Sequence, residues 1–188
     1  MNCNQLTKGL VAAQCNKSAV AGTDDYVILL NFDDVDKSLS VLTGNVLSSI
    51  IMEAAKKGFK FESYDNSIGV ETTLKNGKYR TEAEDNITIR TFVKTQFAKD
   101  FIESAKFPAR VIAIVPNKEV GAAGDTKYEA HGWDCGLQML ECKSTSEFAD
   151  GVTYEIKLGF ADSKEGGLPK SIFITDLKTT ETMINALI

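Results

Sequence analysis

The chain has 188 residues, a net charge of −5, 43% hydrophobic residues and 25% charged residues. These values exclude a disordered chain, a collagen and a coiled coil, and the acidic balance argues against a protein that grips nucleic acid by counterion release. One histidine excludes a multi-histidine metal site and leaves few acid–base mechanisms open.

Residues 1–23 are small and polar with scattered apolar positions, and read as an irregular N-terminal arm. They lack a charged stretch followed by a long apolar run, so no signal peptide is expected. No segment approaches the length of a membrane span. Tyr26–Phe32 is an apolar run of strand length, and Asp33–Asp36 follow as a turn. Val46–Met52 suits strand or helix, and its Gly44-Asn45 opening and β-branched residues favour strand. Lys56-Lys57-Gly58 then reads as a hairpin turn into Phe59–Tyr64, which alternates apolar and charged residues as a half-buried strand does.

Ile68–Lys75 alternates with period two and meets Asn76-Gly77, a strong hairpin signal, from which Lys78–Thr81 returns. Asn86–Phe97 is a twelve-residue alternation, with Ile87, Ile89, Thr91, Val93 and Thr95 on one face and Thr88, Arg90, Phe92, Lys94 and Gln96 on the other. A usual strand has about five or six residues. The region 68–97 therefore reads as a hairpin arm that outruns the core and offers an apolar stripe to a neighbour. Its candidate subunit-contact or lumen-facing residues are Lys75, Tyr79, Arg80, Ile87, Ile89, Arg90, Phe92 and Val93. The competing reading is a long but ordinary hairpin folded back on its own sheets.

Phe97–Ala105 carries apolar residues at helical spacing, and Pro108 ends the pattern. Arg110–Val115 reads as a fully buried strand, and Asn117–Asp125 as a Gly-Ala loop. Tyr128–His131 and Gly136–Cys142 read as strands separated by a bend at Gly132. Val152–Phe160 is a further strand after an Asp150-Gly151 turn, Glu165–Pro169 is a loop, and Thr179–Ile188 is an amphipathic helix. Many strands, few helices and no βαβ rhythm predict a mainly β fold in one domain, 1–188. The expected architecture is an antiparallel sandwich or barrel with one or two packed helices.

No catalytic or cofactor motif emerges. His131 and Cys135 on one strand would lie about 13 Å apart, too far for a thiol–imidazole pair, so packing roles are expected for both. The acidic residues Asp24, Asp25, Asp33, Asp34 and Asp36 lack the spacing and central glycine of a calcium loop. Gly121–Gly124 and Gly166-Gly167 match neither a P-loop nor a dinucleotide fingerprint. Cys3, Cys15, Cys135 and Cys142 lack the close pairs of a zinc site, so reduced thiols are expected. A Cys3–Cys15 disulfide stays open as an alternative. No enzyme activity, cofactor or metal is therefore expected.

The order of motifs resembles virion structural proteins of phages that infect Bacteroidota, crAss-like phages included. The segments that carry the likeness are Arg110–Val115, Tyr128–Leu137 with its Tyr-Glu-Ala-His-Gly-Trp-Asp-Cys-Gly-Leu run, Gly151–Leu158, Leu168–Lys170 and the Thr179-Thr180 helix opening. The Cys3…Cys15 arm and Tyr26–Asp34 add to it. The resemblance implies a tail-tube-like β-sandwich and a non-enzymatic subunit of a phage tail or neck. It further implies a sixfold or twelvefold homo-oligomeric ring, docked on adjacent virion proteins, through which DNA passes without sequence-specific binding. The expected location is the virion, after synthesis in the host cytoplasm. Competing expectations are a head decoration or connector protein, and a small host enzyme or ligand-binding module using Cys135.

Overall fold

The computed structural model describes residues 22–62, 67–76, 81–92, 95–106, 109–121, 123–144, 154–161 and 167–188. The strands are β1 (Tyr26–Asn31), β2 (Val41–Thr43), β3 (Val46–Ser49), β4 (Phe59–Glu62), β5 (Ile68–Asn76), β6 (Thr81–Thr91), β7 (Val111–Pro116), β8 (Tyr128–His131), β9 (Gln138–Ser144), β10 (Tyr154–Gly159) and β11 (Lys170–Ile172). The helices are α1 (Gln96–Ser104) and α2 (Leu177–Ala186). The fold is mainly β with two helices, as expected.

A seven-stranded sheet has the order β2-β3-β11-β8-β7-β1-β4, and a four-stranded sheet the order β5-β6-β10-β9. All pairings are antiparallel except β3 with β11. Val27–Leu30 and Val111–Val115 are apolar throughout because both faces of the seven-stranded sheet are covered at its centre. Ile28, Leu30, Ile112 and Ile114 point to one side, where α2 docks Ile184 and Leu187. Val27, Leu29, Ala113 and Val115 point to the other, against Ile68, Ile87, Ile89, Ile156 and Leu158 of the four-stranded sheet.

Local chemistry sets the element ends. Thr95 caps α1 by accepting from the Ala98 N–H at 3.2 Å, and Asp176 caps α2 by accepting from the Thr179 N–H at 2.9 Å. That hydrogen bond holds the Asp176 carboxyl below its usual range. Gly44, at φ +63°, makes the tight β2–β3 turn. Gly132, at φ +74°, turns the chain out of β8, and a Cβ there would stand 2.9 Å from the Leu137 nitrogen. The turn moves the chain from the large sheet to the small one, so β8 and β9 never pair.

Several expectations need correction. The strand read as 86–97 is β6, Thr81–Thr91, and the C-terminal helix begins at Leu177 rather than Thr179. Asp85 is buried inside β6 and hydrogen-bonded to His131 of the other sheet, so the strand runs through Glu82, Glu84 and Asp85 and starts earlier than the apolar alternation suggests. Lys56-Lys57-Gly58 is not a hairpin turn, because β4 pairs with β1. Residues 50–58 instead cross from one end of the large sheet to the other, held by hydrogen bonds from Asp36 N to Ile51 O and from Gly58 N to Leu187 O. The short strands β2 and β11 were not foreseen. Most of the N-terminal arm, with Cys3 and Cys15, and the 150–151 turn lie outside the described residues. Thr23 of that arm forms a β-bridge with Asn117.

Burial pushes the Tyr128 phenol well above its ordinary value, and the Tyr26 hydroxyl 3.3 Å away adds to the shift. The folded state therefore keeps a proton that the unfolded chain releases near pH 10.0. Stability from this group is complete below that pH, and above it falls by up to about 1.4 kcal/mol per pH unit. Melting temperatures from pH 8 to 11.5 should show a steeper alkaline decline for wild type than for Tyr128→Phe. In the same core, Ile114→Ala should cost about 2–5 kcal/mol in denaturant titrations.

Candidate functional site

The expected site residues do not share one surface. Ile87 and Ile89 are 0% and 2% exposed within the chain's own core, so neither is a subunit contact, and among the described residues of β6 the expected apolar stripe is turned inward. The cause is parity: Ala83, Asp85, Ile87 and Ile89 share the inner face of β6, and all four are buried. Arg90 is on the opposite face, its Nε donating to Glu155 Oε2 at 2.9 Å across the β6–β10 pair. Lys75 stands at the far end of β5, its Nζ bonded to Glu84 Oε2. Phe92 is half-buried just past β6. Tyr79, Arg80 and Val93 lie outside the described residues.

The hairpin is tied to the body by the histidine that sequence reading gave only a packing role. His131 Nδ1 sits 2.9 and 2.8 Å from the two Asp85 oxygens, and Thr72 Oγ1 donates to Asp85 Oδ1 at 2.8 Å. Both side chains of the pair are at most 1% exposed. His131 Nε2 lies 3.8 Å from Glu129 Oε2 and makes no hydrogen bond. Neither ring nitrogen therefore bonds Cys135. The pair links the small sheet to the large one at the point where β10 stops supporting β6, since β10 pairs with β6 only from Asn86 to Thr91.

A second polar knot surrounds Phe32. The Lys37 Nζ stands 3.6 Å from the Phe32 ring centroid and donates to the Trp133 carbonyl at 2.6 Å. Arg110 lies 4.5 Å from the same ring and pairs with Asp33 at 2.8 Å. Burial lowers the Lys37 ammonium pKa, and Asp134 opposes that shift. Cation–π contact fixes the 132–136 turn against the end of β1. Burial raises the Cys142 thiol. Among the described residues, no three His, Cys, Asp or Glu side chains are grouped to hold a metal ion, and no helix is long and apolar enough to cross a membrane.

The surface feature that sequence reading missed is the β2–β3 end of the large sheet. Leu39, Val41, Leu42, Val46 and Ile51 are 37–63% exposed there. The run Ser38–Met52 contains no charged residue, although a quarter of the chain is charged. That absence was the available signal. At the other end, Phe59 on β4 is 54% exposed. Beside it, between β4 and α1, lies a groove of about 250 Å³, partly floored by Phe61 and Phe101, whose ring centroids are 4.3 Å apart. Comparison with family models, curated proteins and solved structures yields no match.

Removing one member of a buried hydrogen-bonded pair leaves an unsatisfied polar group, at a cost of about 1–3 kcal/mol. His131→Ala and Asp85→Ala should each lose about that much in urea titrations. The double variant His131→Ala with Asp85→Ala should lose clearly less than the two single losses added together. Additive losses in this cycle would mean the two side chains do not act as a pair.

Proposed function

We propose that the chain is a non-enzymatic structural subunit that assembles with its own copies into a ring or tube. The observation that carries this is the exposed apolar end of the large sheet, where β2 is the terminal strand among the described residues. A sheet edge offers unpaired backbone groups to any other chain, and monomeric proteins blunt it with charge, proline or a covering segment. Here the edge is apolar and uncharged over fifteen residues. Large exposed apolar patches of this kind mark interaction surfaces. Taking each of the five side chains from its present exposure to full burial stabilises a contact by roughly 1 kcal/mol.

The phage setting rests on the likeness of Arg110–Val115, Tyr128–Leu137 and Gly151–Leu158 to virion proteins. On that reading the ring belongs to a tail or neck and surrounds passing DNA. The net charge of −5 fits such a passage, because a negative lumen repels the polyanion and keeps it mobile.

Negative-stain microscopy of purified full-length protein at micromolar concentration should show rings or tubes. Leu42→Lys places an ammonium on the edge and should give small particles of monomer mass. Its melting temperature should stay within about 2 °C of wild type, since the site is a surface one. Wild-type protein that remains monomeric at high concentration overturns the reading.

A further inference from the structure

We propose that the β2 edge of one subunit is covered by β4 of a second copy, so that the seven-stranded sheet runs from subunit to subunit through an antiparallel β2–β4 pair. This rests on the ring-subunit reading and names the surface that completes it. The first support is position. β2 and β4 are the two terminal strands of the same sheet. A contact that joins one end to the other is heterologous, and heterologous contacts build rings or filaments.

The second support is polarity. Along the order β2-β3-β11-β8-β7-β1-β4, every step is antiparallel except β3–β11. Counting those reversals, β2 runs opposite to β4. All copies in a ring share one sense along its axis, so β2 meets the neighbour's β4 antiparallel.

The third support is charge and face. Ser38–Met52 brings no charge to the contact. β4 brings Lys60 and Glu62, which pair with one another at 2.6 Å and leave no net charge. Lys60 is in register with Ile28 and so lies on the α2 side, with Phe59 and Phe61 on the opposite face. Leu47 and Ile172 also face α2, which places Val46 on the same face as Phe59. In the joined sheet the exposed Phe59 stands on the side of Thr43 and Val46. Leu42 meets the aliphatic stem of Lys60 on the other side. β2 has three residues, so the ladder is short. An interface of about 800 Å² per partner draws on the flanking Leu39 and Ile51 as well.

The test uses full-length protein with the photo-crosslinker p-benzoylphenylalanine in place of Leu42. Within one chain, β2 and β4 are six strand spacings apart, or about 29 Å at 4.8 Å each, so a cross-link between them is intermolecular. The expected result is a ladder of covalent multimers, with mass spectrometry mapping the adducts to the peptide containing Phe59–Glu62. Phe59→Glu should abolish the ladder while leaving the circular dichroism spectrum unchanged. Adducts confined to the β2–β3 peptide and ending at dimers would overturn the proposal in favour of a twofold contact. Rings by microscopy with adducts on any other peptide, or with none, would overturn the β2–β4 pairing and leave the ring reading standing. The ladder on Phe59–Glu62 without rings would do the reverse.

Discussion

The structure depends on the pairing of β1 with β7. Its register sets Ile28 against Ile114 and Leu29 against Ala113. Each strand alternates between two cores, so one pair of strands supplies the floor for α2 and the roof for the small sheet. Sliding either strand by one residue would exchange the two faces. Ile114 and Ile112 would then face the small sheet, while Ala113 and Val115 would leave α2 without bulk to dock on. Burying a side chain of this size contributes about 1.5–3 kcal/mol. The penalty for a slip falls on both layers together, which makes the register of the central pair the constraint that every other element inherits.

The Asp85–His131 pair works differently. A buried hydrogen-bonded pair adds little net stability over a well-packed apolar pair, but it penalises any arrangement that separates its members. β10 pairs with β6 only from Asn86 to Thr91, so the described part of the hairpin beyond Asn86 has no β10 beside it. Asp85 and Thr72 face each other across that hairpin, and His131 reaches them from β8. The clamp therefore specifies where the hairpin lies more than it stabilises it. The same contact holds the hairpin's inner face against the body of the chain.

What was legible in the sequence follows from how local each signal is. β1 and β7 were readable because double-sided burial writes a continuous apolar run over Val27–Leu30 and Val111–Val115. The β5–β6 hairpin was readable from alternation on either side of Asn76-Gly77, and α1 from apolar spacing ahead of Pro108. β6 was misplaced because Asp85 finds its partner 46 residues away, and no local pattern records that. β2 and β11 have three residues each, too few to show a period. The partner of β4 is set by a crossing that ends where Gly58 meets Leu187, again a non-local event. The candidate edge was visible only as missing charge over Ser38–Met52, a signal of composition rather than of motif.

Whether repeated edge contacts close or run on is decided by the bend each subunit contributes. Stacked flat sheets joined end to end form an open filament, and closure needs curvature at a defined place. The β2–β3 pair shifts register between Val41 and Leu42. An irregularity of this type bends its strand and raises the local twist. It falls within the strand that presents the bare edge, beside the side chains that would be covered. On the proposed β2–β4 contact, the bend would sit at the joint between copies rather than inside the β1–β7 centre. A subunit built this way keeps its core register fixed and leaves the angle to its neighbour to be set by two residues at the rim.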